Sequence, residues 1–105
     1  PIMVLVEDSP IWRELISDTF KKEFQVKTFP TGEEFVQYWQ EGRVSPLPDV
    51  AVLDFELHEA GGQMVGLDVL KTIKKTHPEL PVVMNSGQRN PQNVVDTFHY
   101  GAFDY

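Results

Sequence analysis

An α/β fold, a parallel sheet with helices wound on both faces, is predicted by two features of the chain. Apolar runs at residues 2–6, 50–53 and 81–84 are continuous rather than alternating, as suits strands buried on both faces of a parallel sheet. Between the runs lie amphipathic stretches with recognisable helix starts. Strand–helix alternation of this kind stacks helices on a parallel sheet through right-handed crossovers.

Each element has its own justification. Residues 2–6 form the first strand. Ser9-Pro10 then sets an N-cap before a proline at the first helical position, and Ile11, Leu15 and Thr19 with Trp12, Ile16 and Phe20 supply a helical stripe. Residues 24–29 alternate apolar and polar side chains and read as an edge strand. Thr31-Gly32-Glu33-Glu34 is a capping box ahead of Phe35, Val36 and Trp39. Residues 43–48 carry two prolines and form a loop before the third strand, which Asp54 closes. A longer loop, 55–65, precedes a helix that Gly66 opens; Leu67, Leu70 and Ile73 recur at helical spacing until Lys74, Lys75 and His77-Pro78. The fourth strand, 81–84, leads into Asn85, Ser86 and Gly87. Asn90-Pro91 begins a last helix with Val94, Val95 and Phe98 inward and Gly101 as its stop, and a further element starts at 102–105.

A chain of 105 residues with 41% hydrophobic content supports one compact domain, residues 1–105. No apolar run approaches the length of a membrane span and no basic leader opens the chain, so a membrane and export are not expected. Zero cysteines exclude a disulfide framework, a thiolate nucleophile and a Cys-based zinc site; a reducing cytoplasm suits such a chain. A net charge of −7 argues against direct nucleic-acid binding, which needs a basic surface. His58, His77 and His99 have no mutual ligand spacing and receive no role.

In an open parallel sheet, ligands sit beyond the carboxyl ends of the strands. Glu7 and Asp8 follow the first strand, Asp54 closes the third and Ser86 follows the fourth. If those strands are neighbours, three carboxylates and a hydroxyl meet in one shallow pocket. Packed acids resist joint ionisation, and an all-oxygen site suits Mg2+, which relieves that cost. A carboxylate beside Mg2+ can act as nucleophile toward a phosphoryl donor. Asp54, on rigid strand backbone, is the phosphoacceptor candidate, and Glu7 and Asp8 are candidate metal ligands. Blander readings stay open residue by residue: Asp8 suits a helix start, Glu7 a solvated turn, Asp54 a loop entry, and Ser86 a turn cap.

These residues together resemble the receiver domains of bacterial two-component response regulators. The likeness covers essentially the whole chain: Val4-Leu5-Val6-Glu7-Asp8-Ser9 resembles the acidic-pair motif, Val52-Leu53-Asp54 the phosphoacceptor motif, Gly66-Leu67 the opening of helix three, Asn85-Ser86-Gly87 the hydroxyl-plus-small motif and Gly101-Ala102-Phe103-Asp104-Tyr105 the entry to strand five. The resemblance implies a flavodoxin-like sheet of order 2-1-3-4-5. It implies phosphorylation of Asp54 by a histidine kinase or histidine phosphotransfer protein, and Mg2+ held by Glu7, Asp8, Asp54 and the backbone carbonyl of Glu56. It further implies Ser86 bonding a phosphoryl oxygen, Tyr105 as an aromatic switch and a C-terminal output domain in the full protein.

Two departures qualify the likeness. The family places a lysine at what would be position 108, beyond Tyr105. A domain cut within its fifth strand and lacking helix five is therefore expected, with impaired phosphorylation. A homodimer is one way to cover the gap. The loop after Asp54 is also long: Leu57-His58 replace the usual Met-Pro, and Gly66 lies twelve residues beyond Asp54. Glu56 and Gln88 would flank the phosphoryl group and tune its hydrolysis. The long loop and missing lysine leave open a phosphorylation-independent pseudo-receiver acting through protein contacts. A phosphatase of haloacid-dehalogenase type needs Asp-x-Asp after strand one, which this chain lacks.

Overall fold

The computed structural model describes residues 1–42, 47–54 and 66–85. In chain order these form β1 (Ile2–Val6), α1 (Pro10–Phe20), β2 (Gln25–Phe29), α2 (Gly32–Gln40), β3 (Val50–Asp54), α3 (Gly66–Thr76) and β4 (Val82–Asn85). All strand pairings among them are parallel, in the order β2-β1-β3-β4. The predicted α/β fold and the order of its first four strands are thus observed, with β2 at an edge. The expected final helix and the strand start at 102–105 lie outside the described residues.

Local sequence explains where elements begin and stop. Ser9 Oγ accepts the Trp12 amide at 3.4 Å at the head of α1, with Pro10 at the first helical position. Thr31 Oγ1 accepts the Glu34 amide at 3.1 Å at the head of α2. That helix runs to Gln40 with Glu41 as its C-cap, and Gly42 just beyond takes a φ of +71°, a left-handed conformation most side chains resist. Lys74, in the last turn of α3, donates through Nζ to the carbonyls of Pro78 and Leu80 and so ties the helix end to the turn before β4.

Strand alternation divides the interior in two. Val4, Val6, Ala51, Leu53, Val82 and Met84 face α2 and α3 and join Phe35, Trp39, Val69, Leu70, Ile73 and Leu80 in one buried cluster. Phe35 is its largest fully buried side chain. Its ring meets Phe29 edge-on at 5.3 Å and Trp39 at 5.6 Å. Trp39 Nε1 donates to Thr76 Oγ1 at 3.1 Å, which satisfies the indole and joins α2 to α3. Met3 and Leu5 point to the opposite face, where α1 packs on β1 and β2.

Helix α1 departs from the expected stripe. Ile11, Trp12 and Leu15 are exposed at 78%, 55% and 52%, and Arg13, Ile16, Ser17 and Phe20 form the half-buried side. The residues at i, i+4 and i+8 from Ile11 share a face, and here that face turns outward, with Ile11, Leu15 and Thr19 all exposed.

Truncation of the core ring is the sharpest test of this packing. Phe35→Ala is expected to cost about 3–5 kcal/mol. Urea unfolding should show a lower midpoint with little change in slope.

Candidate functional site

Register places the acids. Val6 of β1 pairs with Leu53 of β3, so Glu7 and Asp54 come one residue later on adjacent strands, level with each other. Asp54 in turn pairs with Asn85 at the end of β4. Continuing the strand alternation, Glu7 and Asp54 fall on the side of the sheet that carries α1. The head of α1 follows at once, with Asp8 directly before the Ser9 cap.

The result is a carboxylate trio. Glu7, Asp8 and Asp54 each offer an oxygen, and the three oxygens lie within 4.8 Å of one another. Glu7 and Asp8 are both only 5% exposed, and Asp54 is half-buried. Burial pushes the Glu7 carboxyl above its ordinary range, and the Asp8 carboxylate beside it adds to the rise; contacts with Asp54 and the Ser9 amide pull the other way. Its Oε2 is buried with no hydrogen-bond partner. A buried carboxylate oxygen without a donor is costly unless something positive faces it.

A divalent cation fits this donor set. Hard cations of the Mg2+ class take oxygen ligands at about 2.0–2.1 Å, so ligands on opposite sides stand about 4.2 Å apart. Three oxygens within 4.8 Å need only small movements to share one ion, and the orphaned Oε2 of Glu7 is a ready ligand. Glu56, Ser86, Gln88 and Tyr105, the other residues singled out in the sequence, lie outside the described residues.

One residue near the trio was not foreseen. Arg13 Nη1 donates to the Glu7 carbonyl at 3.0 Å. Arg13 is the one basic residue of α1 and lies one turn past its cap, but the main-chain carbonyl it meets carries no residue-type signal.

Comparison with known proteins places this arrangement. The family model described as the response regulator receiver domain matches residues 3–105. The chain belongs to the response regulator receiver domain family. This receiver is 32% identical over 104 residues to the putative response regulator NtrX-like of Rickettsia conorii, covering 98% of the chain and 21% of that protein. It is also 32% identical over 106 residues to protein-glutamate methylesterase/protein-glutamine glutaminase 2 of Vibrio vulnificus, covering 98% of the chain and 29% of that protein. Among solved structures, the receiver domain of NtrX from Brucella abortus superposes with a TM-score of 0.81 at 30% identity, covering 97% of this chain and 81% of that one. The flavodoxin-like receiver fold is therefore shared, and the receiver spans less than a third of either curated relative.

The raised Glu7 titration makes a signed prediction. A carboxyl whose folded pKa lies above its unfolded value leaves stability intact below the unfolded value and lowers it as pH rises through the folded one. Without divalent cation, Glu7→Gln should therefore raise Tm at pH 7. The gain should shrink toward zero as pH falls to the ordinary glutamate range, which thermal unfolding across pH would record.

Proposed function

We propose that this receiver is the phosphoacceptor module of a two-component system, taking a phosphoryl group on Asp54 from a histidine kinase or histidine phosphotransfer protein. The observation that carries the reading is the trio Glu7, Asp8 and Asp54, gathered within 4.8 Å at adjacent strand ends of a receiver-family chain.

The chemistry follows from the groups at hand. An Asp54 carboxylate oxygen attacks the donor phosphorus and forms an O–P bond, the N–P bond of the phosphohistidine breaks, and the leaving imidazole takes up a proton. Strand backbone at Asp54 fixes the nucleophile, so little orientational freedom is lost on attack. Glu7, Asp8 and Asp54, with the Glu56 carbonyl, would hold Mg2+, which would supply positive charge against the carboxylates and the transferring oxygens. Ser86 is assigned to a phosphoryl oxygen, and Tyr105 to the inward turn that follows its movement. The new charge and acceptor oxygens pull that hydroxyl and reposition its loop, which requires a domain with two accessible states.

The reading is that of a cytoplasmic signalling module rather than a turnover enzyme. Asp54 takes part in its own phosphorylation and dephosphorylation only. Because the receiver covers so little of its relatives' length, we assign the readout to an output domain in the full protein. Among the described residues no helix is long and apolar enough to cross a membrane.

Incubation of the full-length protein with Mg2+ and acetyl phosphate or phosphoramidate should add one phosphoryl group, seen as a mass increase. Asp54→Asn should abolish it and Asp8→Asn should require more Mg2+. Uptake left intact in Asp54→Asn would overturn the reading. A wild type inert in the full protein would instead favour the pseudo-receiver.

A further inference from the structure

We infer that Arg13 is a positioning residue for the metal ligands, holding the peptide between Glu7 and Asp8 in the orientation the carboxylate trio needs. The inference rests on the metal-site reading above and adds a residue to it.

The main chain of Glu7 is gripped from two sides. Its N–H donates to the Phe29 carbonyl of β2 at 3.1 Å, and its carbonyl accepts from Arg13 Nη1 at 3.0 Å. The paired register of β1 ends at Val6 on both flanks, so this carbonyl lies past the last paired residue of the strand. A buried carbonyl left unpaired costs about 1–3 kcal/mol, and a charged donor makes the stronger kind of bond. Arg13 fills that position from α1.

Planarity extends the effect to Asp8. The Glu7 carbonyl and the Asp8 N–H belong to one rigid peptide unit. Fixing the carbonyl direction therefore limits the rotation of both α-carbons, and with them the starting points of two of the three carboxylates. Arg13 is itself anchored: its amide donates to the Ser9 carbonyl at 2.9 Å within the first turn of α1, and its side chain is half-buried. A general electrostatic role would be met by any nearby cation, whereas this role needs a donor at one carbonyl.

Two measurements on Arg13→Met and Arg13→Lys decide the matter. In metal-free protein, hydrogen exchange at the Glu7 amide should quicken about tenfold in Arg13→Met, with exchange in the core at Leu53 unchanged. Mg2+ titration followed by amide NMR shifts should show a dissociation constant about tenfold weaker than wild type, as for groups that orient metal ligands. Arg13→Lys, which keeps one donor, should fall between. A Mg2+ constant within about twofold of wild type in whichever variant folds would overturn the inference, even if Tm drops, since that pattern marks a merely structural arginine. A wild type with no Mg2+ response sinks the metal-site reading and the inference with it, whereas a responsive wild type beside an equally responsive Arg13→Met sinks the inference alone.

Discussion

The parallel register between β1 and β3 is the constraint on which the site depends. Val6 opposite Leu53 brings Glu7 level with Asp54. A slip of one residue would turn every side chain of β1 to the other face. That slip would send Val4 and Val6 away from the cluster beneath α2 and α3 and separate the two carboxylates at one stroke. Burial of the apolar side chains therefore enforces the alignment of the polar ones. The core does not make the site reactive, but it prevents the acids from being anywhere else.

Gathering the acids has a cost that the fold carries in one place. Glu7 and Asp8 are both buried, at 5% exposure, and Oε2 of Glu7 faces no donor. Such a group lowers stability in the absence of a counter-charge and raises affinity for one in its presence. The main chain around it is correspondingly firm, with the Glu7 N–H and carbonyl both bonded. Rigid backbone beneath an uncomfortable side chain is how strain is kept local to a site.

Much of this was legible in the sequence because it depends on short-range rules. Continuous apolar runs located the strands that pair as β1, β3 and β4, and the Ser9-Pro10 and Thr31 starts located α1 and α2. Position at strand ends then singled out Glu7, Asp8 and Asp54 without any coordinates. What escaped depends on rotation and reach. The stripe Ile11–Leu15 satisfies helical spacing whichever way α1 turns, so periodicity could not say that it faces outward. Gly42 follows the C-cap of α2 with a backbone angle that composition does not reveal. Arg13 meets Glu7 across a turn through a side chain of several bonds, and its partner is a main-chain carbonyl, which carries no residue-type signal.

The two tryptophans occupy opposite optical environments. Trp39 is buried at 8% exposure, with its indole nitrogen bonded to Thr76 and its ring against His77 at 5.0 Å. Trp12 stands 55% exposed in the first turn of α1, four residues past Asp8. The protein's intrinsic emission is thus a sum of two signals with separate addresses, a shielded one for the integrity of the helix pair and a wet one for the turn that carries the acids. Loss of the helix pair and events at the acidic turn therefore act first on different indoles, with no external dye.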